Sequence, residues 1–380
     1  MTPRIKAFRF ITRCLANDNW PESIEALRAE IRSAQLSWEA VVSLANAQLI
    51  TPALWIALEK KGLTGVLPDE LCTYLGEIHR LNAERNKHLQ AQLLEAVKQL
   101  NSINVSPILL KGAMHLVNDI YSDPGARIMT DIDLLVPRED IDRCMESLRE
   151  LQYEPVEDIH NDYHEEHHHC APLHKPGAFG ALEIHRKIME SPYEDILPTE
   201  LAMTEAKPIE FHELSMKVLS PTHRVLHNIL HSQLVDQNYH TGTFSLRSLY
   251  ETVTEATTCH EIVDWSTIHL MMEQSGRSKV LRTYLYQTGR LLDFALPAGI
   301  PKTPCYRFYY WRCVAGLGWH ACERIGRRVN RYSADNIGKI YGCNDGWIPI
   351  NLARLKQVKR RVLVYIDDVK QRLHWGDQPR

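Results

Sequence analysis

The sequence lacks any uninterrupted apolar run of the roughly 18 to 20 residues that a membrane-spanning helix requires, and it lacks low-complexity tracts. Its N-terminal segment scatters basic side chains and has no apolar stretch before a small-residue cleavage site, which excludes a typical secretory signal. The nine cysteines show no paired spacing, and their odd number favours free thiols over a disulfide framework. These absences predict a cytoplasmic protein with no membrane span.

Two groups of potential zinc ligands are also poorly arranged for zinc. Cys305, Cys313 and Cys322 are spaced too widely for a C-x-x-C knuckle. The segment HEEHHHC contains His167 to His169, but a single strand presents at most two well-placed imidazoles. We therefore favour a polar hairpin face over a metal site for these histidines.

The composition is ordinary for a globular protein of two or three domains, with 380 residues of which 44% are hydrophobic and 24% are charged. The net charge of −3 is unevenly distributed, because residues 302–380 contain 16 Lys and Arg against 6 Asp and Glu. A basic tail on an acidic body predicts either a solvated helix face or contact with an anionic partner such as RNA. Composition alone leaves both possibilities open.

Hydrophobic periodicity divides the chain into helical flanks and a short stretch of mixed character. Apolar residues recur at three- and four-residue steps from Ile24 to Leu100, and helical patterns return after Pro221. Residues 106–152 instead predict strand, helix, strand and helix, and residues 167–189 predict a hairpin. We therefore expect an α+β fold with a small mixed β-sheet core between helical regions. The predicted parts are an N-terminal helical region (1–104), the core (105–210), a C-terminal helical region that closes a cleft (211–300) and a basic, aromatic-rich helical tail (301–380).

Two carboxylates, Asp131 and Asp133, lie one residue apart in the strand-like segment RIMTDIDLLVP. Side chains alternate along a strand, so both point to the same face. Burying two like charges without partners would cost several kcal/mol or force protonation, whereas a shared divalent cation removes that cost. Glu183 lies between Leu182 and Ile184 on a later predicted strand and is a third acid in an apolar setting.

The pair Lys111-Gly112 follows a short apolar strand and precedes a predicted helix. The N-terminus of a helix offers free backbone N–H groups and a positive dipole end, which suit phosphate, and glycine lets the backbone approach closely. With the three acids, these are the parts of a two-metal phosphoryl-transfer site. Its metal ligands would be Asp131, Asp133 and Glu183, and Glu183 would also accept the proton of the nucleophile. Oxygen donors without Cys or His select Mg²⁺ or Mn²⁺ over zinc.

The segment LLKGAMHLVNDIYSDPGARIMTDIDLLV, followed by LEIH, resembles the bacterial family of uncharacterised nucleotidyltransferases within the polymerase-β-like superfamily. The family pattern has Lys-Gly after the first strand, an Arg before an Asp-x-Asp-Leu-Leu-Val strand, and a later Glu-x-His strand. The matching residues here are Lys111, Gly112, Arg127, Asp131, Asp133, Glu183 and His185. The flanking Arg85-Asn86 pair and the LRSLYE segment are also similar, and the resemblance extends over residues 38–295.

This resemblance implies an Mg²⁺-dependent (or Mn²⁺-dependent) enzyme that transfers a nucleoside monophosphate from an NTP to a hydroxyl or phosphate acceptor. The acceptor is a small molecule, a protein or an RNA. The residues expected to bind the nucleotide are Lys111, Gly112, Arg127, His185, His227, His231 and Arg247. The best-known superfamily members have Gly-Ser where this chain has Lys111-Gly112, and a later helix usually carries Asp where this chain has Glu251.

Purely structural interpretations stay open for several of these residues. His223, His227 and His231 recur every four residues, so they share one stripe of a helix and either line the cleft or are satisfied core histidines. Arg127 either neutralises phosphate charge or simply pairs with the aspartates. Two alternative functions also stay open, namely a catalytically inactive nucleotide-binding regulatory module and a toxin-like enzyme that adds nucleotides to tRNA.

Overall fold

The computed structural model of the chain describes residues 1–16, 21–118, 120–155, 168–258, 262–297 and 304–318, with seven residues between positions 337 and 357. The chain divides into two compact units, Met1–Trp319 and His320–Arg380, and all elements below belong to the first unit. Most of the basic tail lies outside the described residues, so its predicted helices and RNA contact stay predictions. His167 and Cys322, and the side chain of Cys305, also lie outside them.

The described residues before position 105 form five α-helices, in agreement with the periodicity of the sequence. They are α1 (Pro3–Leu15), α2 (Pro21–Arg32), α3 (Trp38–Ala47), α4 (Thr51–Lys60) and α5 (Asp69–Ser102). Side-chain caps fix two of their starts, because Thr2 Oγ1 accepts from Ile5 N and Ser37 Oγ accepts from Ala40 N. Proline within the first turn suits α4, which begins at Thr51, because the missing N–H would be unpaired there anyway.

A mixed sheet of seven strands follows in the described residues, which confirms the predicted α+β class. The strands are β1 (Ile108–Leu109), β2 (Asp131–Leu135), β3 (Glu154–Pro155), β4 (Leu173–His174), β5 (Ala181–His185), β6 (Lys207–Phe211) and β7 (Leu214–Val218). Their order is β3-β4-β5-β2-β1-β7-β6. Strand β2 runs parallel to β5 and antiparallel to β1, and β4 pairs antiparallel with β5 as the predicted hairpin requires.

The register between β2 and β5 determines which side chains meet. Asp133 lies opposite Glu183, and Leu135 lies opposite His185. Because neighbours in register point to the same face, Asp133, Glu183 and His185 share one face with Asp131. The alternate residues, such as Ile132 and Ile184, pack in a core cluster with Leu89 and Leu93 of α5 on the opposite face.

The remaining described helices cover the face that carries the acids or connect the strands. They are α6 (Ile141–Glu150), α7 (Thr199–Thr204), α8 (Pro221–Leu230), a π-helical turn (His231–Val235), α9 (Asn238–Thr241), α10 (Leu246–Thr258), α11 (Trp265–Gln274), α12 (Ser278–Leu292) and α13 (Pro304–Gly318). Leu110 and Leu135 join α8, α10 and α12 in the second core cluster, so the acidic face of the sheet meets these helices. Among the described helices, none combines the length and apolarity required to cross a membrane.

Two features differ from the sequence-based expectation. The helix predicted after Gly112 is only a single 3₁₀ turn, Ala113–Leu116, because three of its four side chains are buried and hold the segment against the core. The sheet also continues to Val218 through β6 and β7, which were not predicted. Their connection, His212-Glu213, has positive φ at both residues without the Gly or Asn that usually marks such a turn.

Candidate active site

Asp133 is the buried centre of the site, with no exposed surface. Its Oδ1 accepts hydrogen bonds from Lys111 Nζ at 2.7 Å and from His185 Nε2 at 2.8 Å. Burial alone would raise the pKa of the Asp133 carboxyl, but the Lys111 charge and the His185 hydrogen bond hold that pKa well below its usual range. Asp133 is therefore a carboxylate anion held between the Lys111 ammonium and the His185 imidazole.

Glu183 and His185 extend this arrangement along β5. His185 Nε2 lies 3.7 Å from Glu183 Oε2, so one imidazole nitrogen stands between the two carboxylates. The His185 hydrogen bond lowers the pKa of Glu183. Burial would lower the pKa of His185, but its bonds to both acids outweigh burial and raise it.

Asp133, Glu183 and His185 are close enough together to hold a metal ion, with donor atoms all within 4.8 Å of one another. Asp133 Oδ2 is buried and has no hydrogen-bond partner among the described residues, which leaves a lone-pair donor for a cation. A divalent metal therefore fits the residues present when His185 Nε2 is unprotonated and binds the metal in place of its hydrogen bond to Asp133. The donor set differs from the prediction of oxygen ligands alone, because it contains the His185 imidazole and not Asp131.

Asp131 lies one step along β2, and its side chain is partly exposed. Desolvation and the negative charge of Asp133 raise the pKa of the Asp131 carboxyl. No hydrogen bond or ion pair reaches Asp131 from any described residue. Its predicted role as a metal ligand stays a prediction, although it does share the face and the neighbourhood of the other acids.

Gly112 lies directly against the Arg127 and Met129 side chains. Its φ of −68° is open to any residue, but a Cβ at this position would collide with the Arg127 guanidinium and lie 2.9 Å from Met129 Sδ. The next N–H groups are also used inside the turn, because Ala113 N donates to Leu110 O and His115 N donates to Gly112 O. The predicted helix is therefore a 3₁₀ turn in which these two N–H groups are already used, and the predicted phosphate contact of Lys111 and Gly112 stays a prediction. The Arg127 guanidinium packs against Gly112 at the place where the sequence predicted phosphate.

A narrow cleft lies between this part of the sheet and helices α8 and α10. Five of the residues predicted to bind the nucleotide line it. They are Lys111, Arg127, His227, His231 and Arg247. Lys111 therefore belongs to both the cleft and the acidic centre, through its bond to Asp133. His185 is buried and does not line the cleft, so its predicted nucleotide contact stays a prediction.

Arg247 stands out among the cations of the cleft. It is partly buried on α10 and has no hydrogen bond or ion pair within the described part of the chain. Desolvation and the like charge of Arg127 lower the pKa of Arg247. Because a partly buried guanidinium that forms no ion pair is costly, this arrangement favours binding of a negatively charged ligand.

Arg127, by contrast, is paired with an acid that the sequence analysis did not place in the site. Its guanidinium lies 3.3 Å from Glu251 Oε2, and its predicted pairing with the aspartates is not the contact observed. His115 Nε2 lies 3.2 Å from the same carboxylate, and Arg224 pairs with Glu255 at 3.0 Å. A signal for this network was present, because the charged cleft residues of α10 recur every four residues. These are Arg247, Glu251 and Glu255.

The histidines of α8 and of the π-helical turn after it divide between the two interpretations left open. His227 is buried, with Nε2 3.2 Å from Ile188 O, and burial lowers its pKa to about 3, so it is a neutral cleft wall. His231 lines the cleft opposite Asp236, at 3.4 Å. His223 is buried and faces Glu205, outside the cleft. His168 and His169 each place a ring 5.3 Å from the His185 ring.

Residues 34–293 match a protein family described as uncharacterised nucleotidyltransferase. The matched range covers more than half of the chain and contains every residue of the acidic centre and the cleft. No curated protein shows significant similarity to the chain.

Proposed function

Because the chain belongs to this family of uncharacterised nucleotidyltransferases, we propose that it transfers a nucleoside monophosphate from an NTP to a hydroxyl or phosphate acceptor and releases pyrophosphate. The observation that carries the proposal is the Lys111 contact to Asp133, which joins a cationic cleft to the carboxylate centre. A triphosphate needs cations along its length and acids at the reacting phosphorus, and the two lie side by side here.

In this proposal the cationic residues and the acidic residues have different roles. Lys111, Arg127 and Arg247 offset the charge of the triphosphate, and Arg247 has a guanidinium that no described acid already occupies. A divalent cation, Mg²⁺ or Mn²⁺, would be held by Asp133, Glu183 and His185 and would screen the phosphate oxygens. Asp131 completes the acidic face at its more exposed end.

The proposed transfer is a single displacement at the α-phosphorus of the NTP. The acceptor oxygen forms a bond to the α-phosphorus, and the bond from that phosphorus to the oxygen bridging to the β-phosphate breaks. Pyrophosphate carries away the electron pair, and the acceptor proton passes to one of the two partly exposed carboxylates, Asp131 or Glu183. Pre-organised cations and acids lower the barrier by positioning and by charge stabilisation.

A screen of the four α-labelled NTPs with cell extract tests the proposal. We expect one or more NTPs to label an acceptor and to release pyrophosphate in step. Asp131→Asn should abolish both, whereas Asp142→Asn, on the exposed face of α6, should leave both unchanged. Label transfer that persists in Asp131→Asn would refute the site.

Arg247→Gln gives a second, more local test. Loss of a charge-assisted contact to the triphosphate should raise KM for the NTP by about tenfold or more. Arg282→Gln is the matched control, because Arg282 is a partly buried arginine on α12, away from the cleft. An unchanged KM in Arg247→Gln would remove Arg247 from the proposed site.

The two alternatives predict different results in the same screen. A regulatory module would bind NTP in calorimetry and release no pyrophosphate. A tRNA-modifying enzyme would place the label in an RNA band when total RNA is supplied. Label in a protein band or in a small-molecule fraction would identify the other acceptor classes.

A further inference from the structure

The long helix α5 presents two amide side chains to the loop that precedes strand β2. Asn82 Nδ2 donates to Gly125 O at 2.8 Å and to Arg127 O at 2.9 Å. Asn86 Nδ2 donates to Pro124 O at 2.7 Å and also to Arg127 O at 2.9 Å. The main-chain carbonyl of Arg127 therefore accepts hydrogen bonds from both asparagines.

These asparagines occupy positions where an apolar residue would be expected. Asn82 and Asn86 are only 7% and 3% exposed, and they lie on the face of α5 that packs toward the sheet. Asparagine is a weak helix former, and a buried amide costs free energy unless it is hydrogen-bonded. The spacing of four residues places both amides on one stripe, so they can reach the same carbonyl.

The loop depends on these side chains because it has no regular structure of its own. Residues 120–130 contain neither helix nor strand, so no sheet or helix ladder pairs their carbonyls. The same helix anchors the next residues, because Arg85 donates to Met129 O and, at 3.1 Å, to Phe179 O. The helix therefore fixes the main chain on both sides of Arg127.

This anchoring determines where the Arg127 guanidinium lies. With its main chain held in this way, Arg127 packs its side chain against Gly112 and pairs with Glu251 in the cleft. We propose that Asn82 and Asn86 are positioning residues, which hold the main chain of Arg127 so that its guanidinium meets the triphosphate. The inference rests on the proposed function, because it assigns a ligand to Arg127.

A purely structural role of Asn82 and Asn86 would give a different experimental result. If the asparagines only stabilise the loop, their removal should lower stability without a specific loss at Arg127. If they act through Arg127, their effect on triphosphate binding should disappear once the Arg127 side chain is removed. A double-mutant cycle separates the two, because residues that act through one group are not additive.

The test uses inorganic tripolyphosphate as the probe, because it carries the charge common to all NTPs. Its affinity is measured by isothermal titration for the full-length protein and for Asn86→Leu, Arg127→Gln and their combination. We expect Asn86→Leu to weaken binding about tenfold in the original background and less than about twofold in the Arg127→Gln background. Asn86→Ser, which keeps one donor, should give an intermediate loss and serves if the leucine variant does not fold.

Asn101→Leu is the matched control. Asn101 lies on the same helix and donates to two main-chain carbonyls, Val105 O and Ser215 O, but it is far along α5 from the loop. We expect its tripolyphosphate affinity to be unchanged. Equal losses in Asn86→Leu and Asn101→Leu, or an Asn86→Leu loss that persists without Arg127, would overturn the positioning role and leave the proposed function standing. Absence of tripolyphosphate binding by the unsubstituted protein would overturn both.

Discussion

Lys111 Nζ lies 2.7 Å from Asp133 Oδ1 and so joins the end of strand β1 to the middle of strand β2. The backbone of Lys111 has a φ of +45°, an unusual conformation for a residue with a side chain. Such a conformation persists only where its surroundings require it, and it occurs often at functional sites. Here it accompanies the contact of the ammonium group with a carboxylate that has no access to water.

Removal of this ammonium should destabilise the protein. In Lys111→Met, the Asp133 carboxylate keeps His185 alone as a partner among the described residues, and breaking a buried ion pair from one side costs on the order of 3 kcal/mol. We expect the free energy of unfolding in urea at pH 7 to fall by about that amount.

Lys187→Met is the control for this stability measurement. Lys187 Nζ also lies 2.7 Å from a carboxylate, Glu194 Oε2, but both side chains are substantially exposed to solvent. Exposed pairs contribute about 1 kcal/mol or less. A Lys111→Met loss no larger than the Lys187→Met loss would contradict the structural role given to Lys111.

The strand pattern of the sequence was sufficient to predict the acidic face. Alternation put Asp131 and Asp133 on one side of β2, and the flanking apolar residues put Glu183 on a strand of its own. Their proximity follows from the parallel pairing of β2 with β5, which places Asp133 opposite Glu183. The four-residue spacing of His223, His227 and His231 predicted one shared stripe and left their role open, and of these three His227 and His231 line the cleft.

Local sequence patterns could not predict contacts between segments that are far apart in the sequence. No periodicity reveals that Gly112 lies under the Arg127 side chain, or that Glu251 of α10 pairs with Arg127. A three-dimensional contact selects glycine here, whereas the sequence suggested a phosphate-binding backbone. Apolar residues alternate with polar ones in β6, at Ile209 and Phe211 for example, and this pattern could have predicted the strand. The turn between β6 and β7 lacks the residues that signal a hairpin.

A methyl group at position 112 should displace the Arg127 guanidinium. Gly112→Ala introduces no backbone strain, because φ is −68°, so any effect comes from the collision with Arg127 and Met129. We expect KM for the NTP to rise about tenfold or more, measured by initial rates of pyrophosphate release.

Gly65→Ala provides the comparison for that experiment. Nothing lies within 4 Å of a Cβ added at Gly65, which is part of a short 3₁₀ turn between α4 and α5. We expect its KM and stability to match those of the unsubstituted protein. If Gly112→Ala behaves in the same way, the packing of Arg127 on Gly112 does not matter for nucleotide binding.

The mixed donor set should influence which metal is bound. Asp133, Glu183 and His185 combine carboxylate oxygens with an imidazole nitrogen, and imidazole favours transition metals over Mg²⁺. We expect Mn²⁺ to bind at least about tenfold more tightly than Mg²⁺, as measured by loss of the free Mn²⁺ signal in electron paramagnetic resonance and by competition with Mg²⁺. Dialysis against a chelator should abolish label transfer, and Mn²⁺ should restore it.

Two carboxamide variants locate the metal. Glu183→Gln should weaken Mn²⁺ binding by about tenfold or more, because it removes one charged ligand. Glu95→Gln, which alters a more exposed carboxylate paired with Lys175, should leave Mn²⁺ affinity unchanged. Equal affinities in the two variants would exclude Glu183 as a ligand.

The pairing of Glu251 with Arg127 should make stability depend on acid pH. Burial alone would raise the pKa of the Glu251 carboxyl, but Arg127 and His115 outweigh burial and hold it well below its ordinary value of 4.5. A carboxyl with a depressed pKa in the folded state contributes stability above its unfolded-state value, and this contribution is lost as the pH falls through the folded-state value. The free energy of unfolding should therefore decline as the pH falls below about 4.5.

Glu251→Gln isolates this contribution, because the amide keeps the shape of the side chain and cannot ionise. At pH 7 the variant should be less stable by about 2 kcal/mol or more, since Arg127 is left buried without a counter-charge. The difference from the unsubstituted protein should shrink as the pH falls from about 4.5 toward 3, because the Glu251 carboxyl then takes up a proton in the unfolded chain while it stays ionised in the folded protein. Urea unfolding across this range, with the exposed Glu139→Gln as a reference, measures the difference. A difference that stays constant with pH would show that Glu251 stabilises the fold through packing, and that its charge does not hold Arg127 in the cleft.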